Sequence, residues 1–165
     1  MVKLIVSWES LQRRREELEE LVTKKIPQNS KDIAVARSYG DLRENAEFKA
    51  AKEMQSVLMR RKGELELMLS HAQGTDFREV DASRVGAGTV VELEPVGTDG
   101  APLRYTILGA WDSQPEEGII SYQTVVAQAL IGHEVGEELD LALDGGQIAR
   151  MRVTSITPYA APTGT

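Results

Sequence analysis

A chain of 165 residues, 41% hydrophobic and 27% charged, has room for one or two small domains. No apolar run approaches the roughly 20 residues of a membrane-spanning helix, and the opening Met1–Val6 is too short for a secretory signal. With no cysteine and only His71 and His133, disulfides and thiolate zinc sites are excluded, and a histidine metal site or Ser-His-Asp triad fits poorly. This composition suits a reducing cytoplasm.

The net charge of −7 is unevenly spread. From Trp8 to Ala72, thirteen Lys/Arg face twelve Asp/Glu, whereas from Gln73 onward five face fourteen. A second half that acidic is ill suited to binding a nucleic-acid backbone by counterion release. It suits a protein partner with a basic or mixed surface.

In chain order, Ser7 is placed to cap a helix whose thin seam is Leu11, Leu18, Leu21 and Val22. Lys24-Lys25 interrupts the seam. Ile26-Pro27 predicts a kink or break, because proline has no amide to donate and crowds the preceding turn. Asn29 and Ser30 weaken the region further, ahead of Ile33, Ala34 and Ala36. The first helix is therefore expected as two segments over residues 8–37.

Gly40 then supplies a helix C-terminus, since the reversal there needs a residue tolerant of positive φ. Asp41 and Glu44 follow three residues apart, with Arg43 and Asn45 beside them. The pair has two readings. Asp41-x-x-Glu44 is a capping box for the next helix, and both acids suit the positive end of its dipole. On spacing the cap is the commoner reading; the other is a pair of carboxylates carried at the far end of a rod. A cap uses one lone pair of each acid, so the readings are compatible.

The second helix is better written. Ala51, Met54, Leu58, Arg61, Leu65, Met68 and Ala72 form a heptad-like seam, and Ala46, Ala50 and Ala51 allow close approach. About 28 residues make a rod of roughly 40 Å. Gly63 weakens it by about 1 kcal/mol relative to alanine. A short turn between two such helices gives an antiparallel αα-hairpin. Its basic clusters, among them Arg13, Arg14, Arg60 and Arg61, read as solvated faces neutralised by neighbouring glutamates or as an RNA-facing patch.

His71 closes the helix, and helical periodicity stops at Gln73–Asp76, which sets the expected domains at residues 1–75 and 76–160. Strands are predicted at 89–93, 104–108, 118–122, 138–143 and 148–153, with one short helix over Val125–Ile131 ended by Gly132. Asp144-Gly145-Gly146 marks a hairpin turn. Gly86 and Gly88 read as turn residues before a strand. The fold class is α+β, with the hairpin followed by a small antiparallel sheet and one helix. Residues 161–165 are expected to be a disordered tail.

Taken together, these pieces closely resemble the bacterial Gre transcript-cleavage factors. The resemblance is carried by Ala36-Arg37, the run Gly40-Asp41-Leu42-Arg43-Glu44-Asn45-Ala46-Glu47-Phe48, Ala50-Ala51 and Glu53. Tyr105-Thr106-Ile107, Ile120-Ser121-Tyr122 and Ala129-Leu130-Ile131-Gly132 extend it, over roughly residues 8–158.

The resemblance implies a coiled-coil hairpin and an FKBP-like domain docking on bacterial RNA polymerase through Gln128, Ala129, Leu130, Ile131 and Gly132. It implies that the hairpin tip enters the polymerase secondary channel. There it would stimulate the polymerase's own Mg-dependent cleavage of a backtracked nascent RNA 3′ end, the chain itself being no enzyme. Asp41 and Glu44 would share a Mg²⁺ in the complex, with no cofactor bound by the isolated chain. Ser38, Tyr39, Arg43 and Asn45 would contact RNA or polymerase at the tip. No membrane is involved, and a monomer is expected. A channel binder that does not activate cleavage, a prolyl isomerase and a plain coiled-coil adaptor are the competing readings.

Overall fold

The computed structural model describes residues 3–143 and 145–160, so the tail expected at 161–165 and Asp144 of the glycine turn lie outside the described residues. The chain divides into two compact units. One comprises Leu11–Ala72; the other takes Leu4–Ser10 together with the chain from Gln73 onward. Leu4–Ser10, expected with the hairpin, thus belongs with the sheet.

In the hairpin unit, α1 (Trp8–Glu20) runs into a π-helical turn (Leu21–Lys25), then α2 (Ile26–Ser38); α3 (Ala46–Ser70) returns. The helix does not break at Pro27. The Ile26 amide bonds to the Leu21 carbonyl across a wide turn, and the Thr23 hydroxyl donates to the Glu19 carbonyl at 2.7 Å. Proline then sits in the first turn of α2, where an amide donor is not needed. The wide turn also moves the seam by one residue. Leu21 is buried, exposed Val22 is passed over, and Ile26, Asn29, Ile33 and Ala36 continue the inner face.

On α3 the inward positions are Phe48, Ala51, Gln55, Leu58, Arg61, Lys62, Leu65, Met68 and Leu69, a face stepped by threes and fours. Met54, read into the seam from sequence, is half exposed and Gln55 takes its place. Spacing alone does not separate these neighbours.

The second unit begins with β1 (Leu4–Ser7), paired in a two-stranded sheet with β2 (Ala72–Thr75). A buried polar knot secures β1. Asp112, 5% exposed, accepts hydrogen bonds from the Ser7 amide (2.9 Å), the Ser7 hydroxyl (2.5 Å), the Ser10 hydroxyl and the Gly109 amide (2.8 Å). The Ser7 hydroxyl also accepts from the Ser10 amide at 3.2 Å, the expected cap. Only glycine fits at 109, where a Cβ would lie 2.6 Å from the Ile5 carbonyl oxygen and 2.5 Å from Val6 Cα.

The main sheet, in spatial order β5-β4-β3-β7-β6, contains β3 (Thr89–Pro95), β4 (Leu103–Leu108), β5 (Ile119–Ser121), β6 (Glu138–Ala142) and β7 (Ile148–Pro158). Neighbouring strands are antiparallel except β4 and β5. The sheet is therefore mixed, because residues 109–118 cross over through a short helical turn at Pro115–Glu117 instead of reversing tightly. Val91, Leu93, Ile107, Leu139, Leu141, Met151 and Val153 build the core, and α4 (Val125–Leu130) seals it with Ala127 and Leu130. Thr124 caps α4 by accepting from the Ala127 amide at 3.2 Å, and Gly132 (φ +94°) follows its end.

Candidate functional site

The α2–α3 turn is assembled from both helix ends. The Tyr39 amide donates to the Ala36 carbonyl (3.2 Å) and Gly40 takes φ +109°, the left-handed geometry expected of it. Asp41 Oδ1 accepts from the Arg43 amide at 3.0 Å, forming a local Asx turn. Asn45 Oδ1 accepts from the Phe48 amide at 2.9 Å, while its Nδ2 donates to the Ala36 carbonyl at 2.6 Å. Arg37 lies over the Phe48 ring, 5.8 Å from its centroid.

The capping reading of the acid pair is therefore corrected: Asn45 caps α3. The helix starts at Ala46, so Asp41 is too far upstream to reach its first free amides, and its bond turns inward to the loop. Asn45, expected as a contact to a partner, has both ends of its amide engaged within the turn. Ser38 likewise donates to the Val35 carbonyl of its own helix at 2.5 Å. What remains outward is Asp41 Oδ2, the Glu44 carboxylate, for which no hydrogen bond or ion pair occurs among the described residues, and Tyr39, which is 66% exposed.

These groups face one open concavity of about 530 Å³ lined by Tyr39, Asp41, Glu44, Asn45, Ala46 and Glu47. A second, of about 390 Å³, is lined by Leu42, Arg43, Phe48, Lys49 and Lys52 among others. Arg43 and Glu44, adjacent in sequence, thus line different concavities, one basic and one acidic. Among the described residues no three acidic or histidine side chains cluster tightly enough to hold a metal alone. Two carboxylates with free oxygens match what Mg²⁺ takes when water and phosphate supply its remaining ligands. The donor set fits a shared ion.

Of the four arginines read either as solvated faces or as an RNA-facing patch, Arg61 is engaged within the hairpin. Arg61 forks onto Glu17 across the hairpin, Nε to Oε1 at 2.7 Å and Nη2 to Oε2 at 3.0 Å, and also reaches Glu64 at 3.3 Å. The hydrogen bonds from Arg61 hold the Glu17 carboxyl below the usual range, with Arg14 adding to the pull, and Arg61 is raised in turn. Arg13 and Arg60 are exposed. In the sheet unit, Leu130 is fully buried in the core and cannot meet a partner. Of the expected docking run, Gln128, Ala129, Ile131 and Gly132 reach the surface, and Gln128 Nε2 donates to the Tyr122 carbonyl at 2.7 Å.

A helical hairpin with an acidic turn, followed in the chain by a small mixed sheet sealed by one helix, defines a two-domain hairpin factor. The chain belongs to the GreA/GreB family of transcription elongation factors. The family models described as "Transcription elongation factor, N-terminal" and "Transcription elongation factor, GreA/GreB, C-term" match residues 4–73 and 80–158. It is 48% identical over 130 residues to transcription elongation factor GreA of Nautilia profundicola, covering 79% of this chain and 80% of that protein. GreA of Treponema pallidum (strain Nichols) is 43% identical over 136 residues, 82% of this chain and 83% of that protein. Among solved structures, the GreA factor homolog Gfh1 of Thermus thermophilus aligns at 25% identity with a TM-score of 0.41, over 94% of this chain and 99% of that chain.

Proposed function

We propose that this elongation factor binds bacterial RNA polymerase, carries its hairpin turn into the secondary channel, and stimulates Mg-dependent cleavage of a backtracked RNA 3′ end. The carrying observation is the state of Asp41 and Glu44. The turn is held by Gly40 and Asn45, so the two acids are left exposed, in one concavity, with free oxygens. An acid pair needed only for the fold would be consumed by it.

In this reading Asp41 Oδ2 and Glu44 would hold a Mg²⁺ shared with the polymerase, which would stabilise charge on the attacked phosphodiester. Glu44 orients the attacking water. Tyr39 and Arg43, both exposed, contact the RNA or the channel wall, and Gln128, Ala129, Ile131 and Gly132 provide docking surface on the sheet unit. The chain supplies side chains to another enzyme's centre, works as a monomer, and resides with the polymerase in the cytoplasm. No described helix is long and apolar enough to cross a membrane.

The test is cleavage in a stalled, backtracked complex with and without Mg²⁺. Asp41→Asn retains an oxygen for the Arg43 amide and so isolates the charge. It and Glu44→Gln each abolish stimulation while polymerase binding stays nearly intact. Stimulation by the double variant equal to the native level would refute the proposal, and binding without any stimulation by the native chain would make it a channel regulator instead.

A further inference from the structure

The inner face of the hairpin is thin. In Leu11–Ala72 the buried side chains are Leu11, Leu21, Ile33, Ala36, Leu65 and one amide, Asn29. Asn29 is 5% exposed, and its Nδ2 donates to the Ala51 carbonyl of α3 at 3.0 Å. Ala51 is itself an inward position beside small neighbours, so the amide meets backbone directly. Seven residues nearer the turn, Asn45 Nδ2 makes the reciprocal bond, from the α3 end to the Ala36 carbonyl of α2.

Apolar contacts are non-directional and tolerate an axial slide of one helix along its neighbour. A buried amide does not, because sliding strands it away from its acceptor, and single buried asparagines fix register in coiled coils for this reason. The need for such a device is local. The π-turn at Leu21–Lys25 shifts the seam by one residue just before Asn29, so α2 must be re-registered against α3 on the way to the turn.

We infer that Asn29 is a positioning residue whose bond to the Ala51 carbonyl fixes the axial register of α2 on α3 and thereby where the acidic turn sits. The register claim stands on the hairpin alone; its consequence for cleavage rests on the proposed function. An apolar residue of similar volume at 29 gives a hairpin at least as stable but less singular.

The test uses the full chain, whose lack of cysteine makes introduced labels unique. Spin labels at Ser30→Cys and Ser56→Cys, both exposed, report the interhelical distance distribution. The native hairpin gives one narrow distance. Asn29→Leu keeps or raises the melting temperature yet replaces that distance by a broadened or shifted distribution, and Asn29→Gln, which keeps an amide donor, restores the narrow one.

In backtracked complexes Asn29→Leu lowers stimulated cleavage by up to about 100-fold, since a misplacement of about 1 Å costs that much in a positioned reaction. An unchanged narrow distance in Asn29→Leu overturns the inference. So does broadening in both variants, which assigns the effect to side-chain shape. Absence of stimulation by the native chain refutes the cleavage reading and leaves the distance measurement standing.

Discussion

Asn45→Ala removes two bonds from the turn at once, and their sum can be worked out. Loss of the cap on the Phe48 amide costs about 1 kcal/mol. Loss of the Nδ2 bond to Ala36 costs about 1 kcal/mol more; the Tyr39 amide still serves that carbonyl, so it is not orphaned. The expected destabilisation is about 2 kcal/mol, a fall of roughly 8–16 °C in the transition of a unit this size. The assay is thermal and urea unfolding of the full chain by helical circular dichroism. That signal reports the hairpin almost alone, because α4 is only 6 residues long. Asn45→Ser keeps a capping oxygen and loses the amide, so it should fall by about half as much. A change in Asn45→Ala within about 0.5 kcal/mol of native, or serine and alanine variants of equal stability, would refute the assignment of separate cap and cross-turn bonds.

Two further expectations follow from the ion pair and the buried knot. Arg61 depresses the Glu17 carboxyl, so its contribution is full above the unfolded-state value and is lost as pH falls through the lower folded value. Both groups are more than a third exposed, which limits the effect to at most about 1 kcal/mol. Acid titration of hairpin stability should show this limb below the ordinary glutamate range, weakened by added salt and missing in Glu17→Gln. Asp112→Asn keeps an oxygen for the Ser7 and Gly109 amides and turns its Nδ2 to two hydroxyls that can accept, so it should cost only about 1 kcal/mol. Asp112→Ala leaves both amides without an acceptor and should destabilise the sheet unit by about 3 kcal/mol. Hydrogen exchange at Val6 and Ser7 should rise before that of β3 and β7; unaltered protection of β1 would contradict the role given to the knot.

Regular patterns were legible in the chain. Helical periodicity, Gly40, the cap at Ser7 and the short helix after Thr124 appear in the structure because each depends on neighbours in sequence. What sequence missed depends on partners far away. β1 is four residues long and has meaning only beside β2, more than sixty residues on. Proline at 27 promised a break, but a wide turn upstream removed the need for its amide. The choice between Met54 and Gln55 on the inner face depends on how α3 is turned toward its neighbour, which spacing along one helix does not fix. At the turn, Asp41 and Glu44 were visible as an acid pair, but assigning the cap to Asn45 required knowing that α3 begins at Ala46. Arg61 was visible as a cation, though its partner Glu17 is 44 residues distant.

The placement of Leu4–Ser10 makes the hairpin an insertion within the sheet domain, not a module in front of it. During synthesis the first strand leaves the ribosome long before anything exists for it to pair with, and the hairpin can fold while it waits. Asp112 meets Ser7 and Ser10 only once that excursion has closed. A fragment cut at Gln73 to isolate the sheet domain would strand a buried carboxylate without most of its donors, whereas grafting Leu4–Ser10 back through a short linker should restore it.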